Sequence, residues 1–87
     1  MNDTIRKLID EHGRLSVPAS SLKDDQDLYE TGLTSFAAVQ LMLGLEDAFD
    51  IEFPERMLNR RSFASIATIA SCISELTTVE PAKKIAS

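Results

Sequence analysis

The sequence predicts an all-α fold: three longer helices, one short helix, and a long connection after the first. Three observations carry this expectation. Apolar residues recur at helical spacing in three stretches, around Ile5-Leu8-Ile9, from Ala38 to Phe49, and from Phe63 to Leu76. Helix-starting and helix-stopping residues punctuate those stretches. No segment alternates apolar and polar residues convincingly enough for a strand, and no internal repeat is found. At 87 residues the chain reads as one small domain, near the lower size at which a core stabilises a fold unaided. The domain is expected over residues 1–76, with a mobile C-terminal tail over 77–87.

The first helix is expected from about Asp3 to His12, capped by Asn2 or Asp3 and stopped by Gly13. Its buried stripe is Ile5, Leu8 and Ile9. A connection from Gly13 to Thr34 follows, long enough to need pinning or a function. Leu15, Val17, Leu22, Leu28, Tyr29 and Leu33 recur along it and can pin it to the core. The second helix, about Ser35 to Phe49, places Ala38, Leu41, Met42, Leu45, Ala48 and Phe49 on one side. Phe36, Val39 and Leu43 point away from that stripe, beside Ser35. They are either covered by loop residues such as Leu28 or form an apolar docking patch. Pro54 opens a short turn, about Glu55 to Asn59, with Met57 and Leu58 facing inward. Ser62 is expected to cap a last helix, about Phe63 to Leu76, with Phe63, Ile66, Ile69, Ala70, Ile73 and Leu76 buried. From Thr77 the periodicity is lost, and Pro81-Ala82-Lys83-Lys84 reads as tail.

Composition excludes several classes. The single Cys72 cannot form an internal disulfide, and no apolar run reaches membrane-spanning length. The start, Met1-Asn2-Asp3-Thr4, lacks the basic and apolar regions of a signal peptide. A soluble, cytoplasmic monomer without membrane or nucleic-acid partners is the expectation. Net charge is −5, and every charged residue between Asp24 and Glu55 is acidic. That segregation predicts an acidic field around Ser35 and partners with basic patches. Catalytic and metal-binding constellations are missing. His12 is the one histidine, has no nucleophile at a recognisable spacing, and fits a helix C-terminus. One His and one Cys fail the ligand count for zinc. Asp24, Asp25 and Asp27 lack the Gly and Glu that a calcium loop requires.

Gly32-Leu33-Thr34-Ser35-Phe36 is the most informative stretch. It joins a turn-forming glycine to a serine at the first turn of an apolar-periodic helix. A hydroxyl there lies beside backbone N–H groups that have no intrahelical partner. A phosphate ester on it would meet the positive end of the helix dipole. Alone, the same serine could be a plain cap. The wider stretch Asp27 to Phe36, followed by Leu45-Glu46-Asp47-Ala48-Phe49-Asp50-Ile51-Glu52-Phe53-Pro54, resembles the phosphopantetheine attachment region of acyl and peptidyl carrier proteins. The resemblance runs from about Ile5 to Leu76. It departs at Thr34, where the family usually has Asp, and at Ala37 and Gln40, where many carriers bear carboxylates.

The resemblance implies a four-helix acyl-carrier bundle, not an enzyme, with a 4'-phosphopantetheine arm on Ser35 whose thiol carries cargo as a thioester. It also implies docking through the second helix, with Phe36, Val39, Gln40, Leu43 and Asp47 as the candidate residues. The core around Ser35, the neutral second helix, and the segment Leu58 to Ile66 look most like stand-alone bacterial aminoacyl carriers. A small amino acid is therefore the expected cargo. The expected partners are a phosphopantetheinyl transferase, a loading ligase and a downstream transferase. Two alternatives stand beside this reading: a carrier of fatty-acyl or polyketide intermediates, and an unmodified helical interaction module. A long acyl chain would need room among Leu41, Leu45, Phe49, Phe53 and Ile66.

Overall fold

Helices form where the apolar periodicity places them, and most of their ends are set by side-chain caps or left-handed residues. The computed structural model describes the backbone of residues 2–86 and the side chains of residues 2–77. In chain order it has α1 (Asn2–Leu8), which continues as a π-helical turn at Ile9–Gly13, and a 3-10 turn at Ala19–Ser21. Next come α2 (Ser35–Phe49), 3-10 turns at Glu55–Met57 and Arg60–Phe63, and α3 (Ile66–Ala86). No strand occurs among the described residues. The fold is all-α, with the expected short helix realised as the two 3-10 turns before α3.

The core joins all three helices. Ile5 and Ile9, Leu41 and Leu45, and Ile66, Ile69 and Ile73 are completely buried, together with Leu28 from the long connection. Each such side chain contributes roughly 1.5–3 kcal/mol by leaving water. Phe53 and Phe63 close one end with an edge-to-face contact, centroids 5.4 Å apart. Among the described residues no buried side-chain nitrogen or oxygen lacks a hydrogen-bond partner.

The long connection is irregular yet tied down at both ends. Leu22, Leu28 and Leu33 are buried, and Leu15 and Tyr29 are half-buried. Arg6 reaches from α1 to donate to the carbonyls of Ala19 and Leu22, and it pairs with Asp24 at 2.8 Å. Asp10 accepts the N–H of Ala19 at 2.8 Å. Further along, the N–H of Leu28 donates to the carbonyl of Ala64 (2.7 Å), and that of Ala67 to the carbonyl of Asp24 (2.8 Å). These bonds satisfy backbone groups that the absence of regular structure would otherwise leave to water.

Several expectations are corrected. Gly13 does not supply the left-handed residue that ends the first helix. Arg14 does, at φ 53°, because the π-helical turn runs one residue further and takes in Gly13, which is buried beside Ile9, Leu15 and Leu33. Val17 is exposed rather than pinning; the neighbouring Ser16 fastens this stretch through its N–H and hydroxyl, both on the carbonyl of Thr31. Ala48 lies on the solvent side of α2, and Ala37, not part of the expected stripe, is buried. Leu58 is exposed because the turn carrying Met57 inward ends at Met57. Ser62 does not cap the last helix. It bonds through its N–H to Asn59 in the preceding turn, while Ser65 and Thr68 cap α3 reciprocally, each hydroxyl accepting the other's N–H. The backbone of α3 runs to Ala86, past the Leu76 where periodicity ends. The tail expected over 77–87 lies, apart from Thr77, outside the described side chains.

Candidate functional site

The site is assembled around the start of α2. Thr34, in extended conformation, is its N-cap, and its hydroxyl accepts the N–H of Ala37 at 3.1 Å. Thr34 therefore does the work that a side-chain oxygen of Asp would do at this position. Capping is thus assigned to Thr34, and Ser35, the first helical residue, is exposed with its hydroxyl unclaimed among the described residues. Gly32 sets the approach. At φ 115° it adopts a conformation that side-chain-bearing residues rarely reach, and its N–H closes a turn onto the carbonyl of Tyr29 at 3.2 Å.

Ser35 borders a cleft of about 290 Å³ whose floor is Ala38, Met42 and Phe63 and whose walls include Val39, Tyr29, Leu58, Asn59 and Arg60. Arg60 stacks over the Tyr29 ring at 4.1 Å from its centroid. Burial pushes the pKa of the Tyr29 hydroxyl above its ordinary value, opposed by the nearby charge of Arg60 and reinforced by that of Asp27, so the phenol stays protonated more firmly than in water. Two local devices hold this wall. Asn59 caps the 3-10 turn that begins at Arg60, accepting the N–H of Ser62 at 3.0 Å, and Asp27 accepts the N–H of Tyr29 at 2.9 Å.

The residues expected to dock partners occupy successive turns of α2. Phe36 is 69% exposed, and Val39 and Leu43 are 50% exposed each; Gln40 and Asp47 are exposed as well. Loop residues do not cover them; Leu28 is buried in the core instead. Only Val39 shares the Ser35 cleft. Phe36 and Gln40 border a second recess of about 170 Å³ with Glu11, His12, Arg14 and Ala37. The acidic field read from the sequence is therefore interrupted in space, since Arg60 lies in one recess and Arg14 with His12 in the other. Sequence reasoning gave Tyr29, Met42 and Phe63 packing roles only and placed Arg60 outside the acidic window. The unread local signal is the Asn59-x-x-Ser62 spacing, a cap pattern that places Arg60 at the start of a turn.

The side chains named for acyl-chain storage belong to the core or pack against it. Leu41, Leu45 and Ile66 are completely buried, Phe53 nearly so, and Phe49 is half-buried. Among the described residues no cluster of three or more potential metal ligands occurs, and no helix is long and apolar enough to cross a membrane.

An exposed serine at the start of an internal helix, beside a mostly apolar cleft and an exposed apolar helix face, defines a carrier-type domain. A family model described as the phosphopantetheine attachment site matches residues 3–73. An aminoacyl carrier protein of Agrobacterium fabrum is 55% identical over 73 residues, 84% of this chain and 88% of that protein. Aminoacyl carrier protein 1 of Bradyrhizobium diazoefficiens is 33% identical over 64 residues, 74% of this chain and 69% of its own. Among solved structures, one similar fold belongs to the carrier protein from Agrobacterium tumefaciens, crystallised with an engineered Bradyrhizobium japonicum glycine:carrier protein ligase and AMP. It superposes with a TM-score of 0.83 at 54% identity, covering 85% of this chain and 99% of its own. The chain belongs to the phosphopantetheine-attachment family of carrier proteins, whose members carry groups on a prosthetic arm and are not themselves enzymes.

Proposed function

We propose that Ser35 bears the 4'-phosphopantetheine and that the cargo is a small amino acid, with glycine the first candidate. The observation that supports this most directly is the division of labour at the start of α2. Thr34 caps the helix, so the Ser35 hydroxyl is exposed and spare at a helix N-terminus, where neighbouring N–H groups and the dipole favour a phosphate ester. The residues present fit the group: an accessible hydroxyl, an adjoining cleft with an apolar floor, and a guanidinium on its wall. When bound, the arm supplies the thiol that holds the cargo as a thioester. The chain's own part is to keep Ser35 at a fixed corner and to present Phe36, Val39, Gln40, Leu43 and Asp47 beside it for docking.

The aminoacyl reading is supported by similarity to carriers so described and to one crystallised with a glycine ligase. The proposed partners are a phosphopantetheinyl transferase, an amino acid:carrier protein ligase and a downstream transferase. The chain acts as a cytoplasmic monomer in this reading. Intact mass after incubation with a phosphopantetheinyl transferase and coenzyme A should show one added arm on the protein and none on Ser35→Ala. Loss of an exposed hydroxyl that caps nothing should leave the melting temperature of Ser35→Ala essentially unchanged. Incubation of the holo protein with the ligase, ATP and glycine should then add a glycyl group that hydroxylamine removes. Loading of Ser35→Ala would sink the attachment assignment. A fatty-acyl chain as the sole modification of protein from its native cell would sink the aminoacyl one.

A further inference from the structure

Arg60 has three properties that the carrier role alone does not require. It lines the same cleft as Ser35 and is the one charged side chain among the described residues that do so. Its guanidinium carbon lies over the Tyr29 ring at 4.1 Å from the centroid, a contact that localises the group and leaves it N–H donors to offer elsewhere. No carboxylate among the described residues lies within ion-pair distance of it, as is also true of Arg14 and Arg61. What sets Arg60 apart is its place: it is the unpaired cation that lines the cleft beside Ser35.

We propose that Arg60, held over the Tyr29 ring, is a positioning residue that binds the phosphodiester on Ser35 and so directs the arm into the cleft over Met42 and Leu58. The proposal rests on Ser35 being the attachment residue. A phosphodiester there carries a negative charge that the helix start meets from one side only. Arg60 supplies a counter-charge from the lining of the same cleft, and its planar N–H donors suit phosphate oxygens. The apolar part of the arm next to the phosphate then meets Met42, Leu58 and Val39, which are otherwise left to water.

The test compares holo wild type with holo Arg60→Gln, which removes the charge and keeps a polar side chain, and holo Arg60→Lys, which keeps the charge without the planar stack. Intact mass first establishes that each is loaded. Nuclear magnetic resonance at low salt then reads the arm directly. In wild type, loading should shift the Arg60 Nε–H and the Tyr29 ring resonances. Nuclear Overhauser contacts should run from the geminal methyls of the arm to Met42 and Leu58. Arg60→Gln should lower those contact intensities about two- to fivefold, the range of an exposed ion pair, with Arg60→Lys in between. Raising the salt should erode the wild-type contacts in the same direction. Unchanged Arg60 and Tyr29 signals on loading, or full contacts in Arg60→Gln, would overturn the role of Arg60 and leave the attachment assignment intact. Failure of wild type to load would overturn the attachment assignment, and this inference with it.

Discussion

Leu41 and Leu45 are completely buried, whereas Leu43, between them on the same helix, is 50% exposed. The two faces of α2 use the same kind of side chain for opposite ends. One face stabilises the domain by taking Leu41, Leu45 and Ala38 out of water. The other leaves Phe36, Val39 and Leu43 in water beside Ser35, at a cost in solvation that the fold does not require. An apolar residue on this helix is therefore not by itself a sign of the core. Its position relative to Ser35 decides what it is for.

Truncation is the sharpest way to break that contrast. Leu45→Ala or Leu41→Ala should lower stability by roughly 2–5 kcal/mol, seen as a shift of the urea midpoint, because a cavity opens between the helices. Thr34→Ala should cost about 1 kcal/mol through the lost cap, and Thr34→Asp should restore it. Gly44→Ala should give less than the gain of about 1 kcal/mol expected from helix propensity. A Cβ at Gly44 would lie 3.0 Å from Cδ2 and 3.1 Å from Nε2 of His12. In a His12→Ala background the full gain should appear, and a double-mutant cycle measures the difference. At the small end, Leu43→Ala and Phe36→Ala should move stability by no more than about 0.5 kcal/mol. The same two variants should slow aminoacyl transfer to the holo protein several-fold. Equal losses of stability for Leu43→Ala and Leu45→Ala would erase the distinction between the faces.

How far the sequence could be read follows the same line. Periodicity located α2 from Ser35 to Phe49 because a helix of this length exposes and buries residues in register with its pitch. The stripe failed at its margins, where Ala37 is buried and Ala48 is not, since alanine carries too little apolar surface to declare a side. Caps were legible as residue types but not as positions. Ser62 and Ser65 are equally plausible on paper, and Thr68 decides between them by completing the reciprocal pair with Ser65. The serine motif was legible from its neighbours in sequence. The cleft beside it was not, because Tyr29, Met42 and Arg60 meet only through the path of the long connection. Charge was misleading for the same reason: the acidic window is continuous along the chain, yet Arg14 and Arg60 enter it from outside.

The bond from the N–H of Leu28 to the carbonyl of Ala64 has a mechanical consequence. It bridges the segment before Ser35 and the turn that carries Arg60, so these two sides of the cleft are tied to each other. The rest of the cleft is lined from α2 by Ser35, Ala38, Val39 and Met42. There the adaptable element is Met42, half-buried, with an unbranched thioether that can change rotamer without moving backbone. The cleft thus sets one pliable side chain against two segments tied to each other, and Met42→Ile, which stiffens that chain, should narrow the range of shapes the cleft can take.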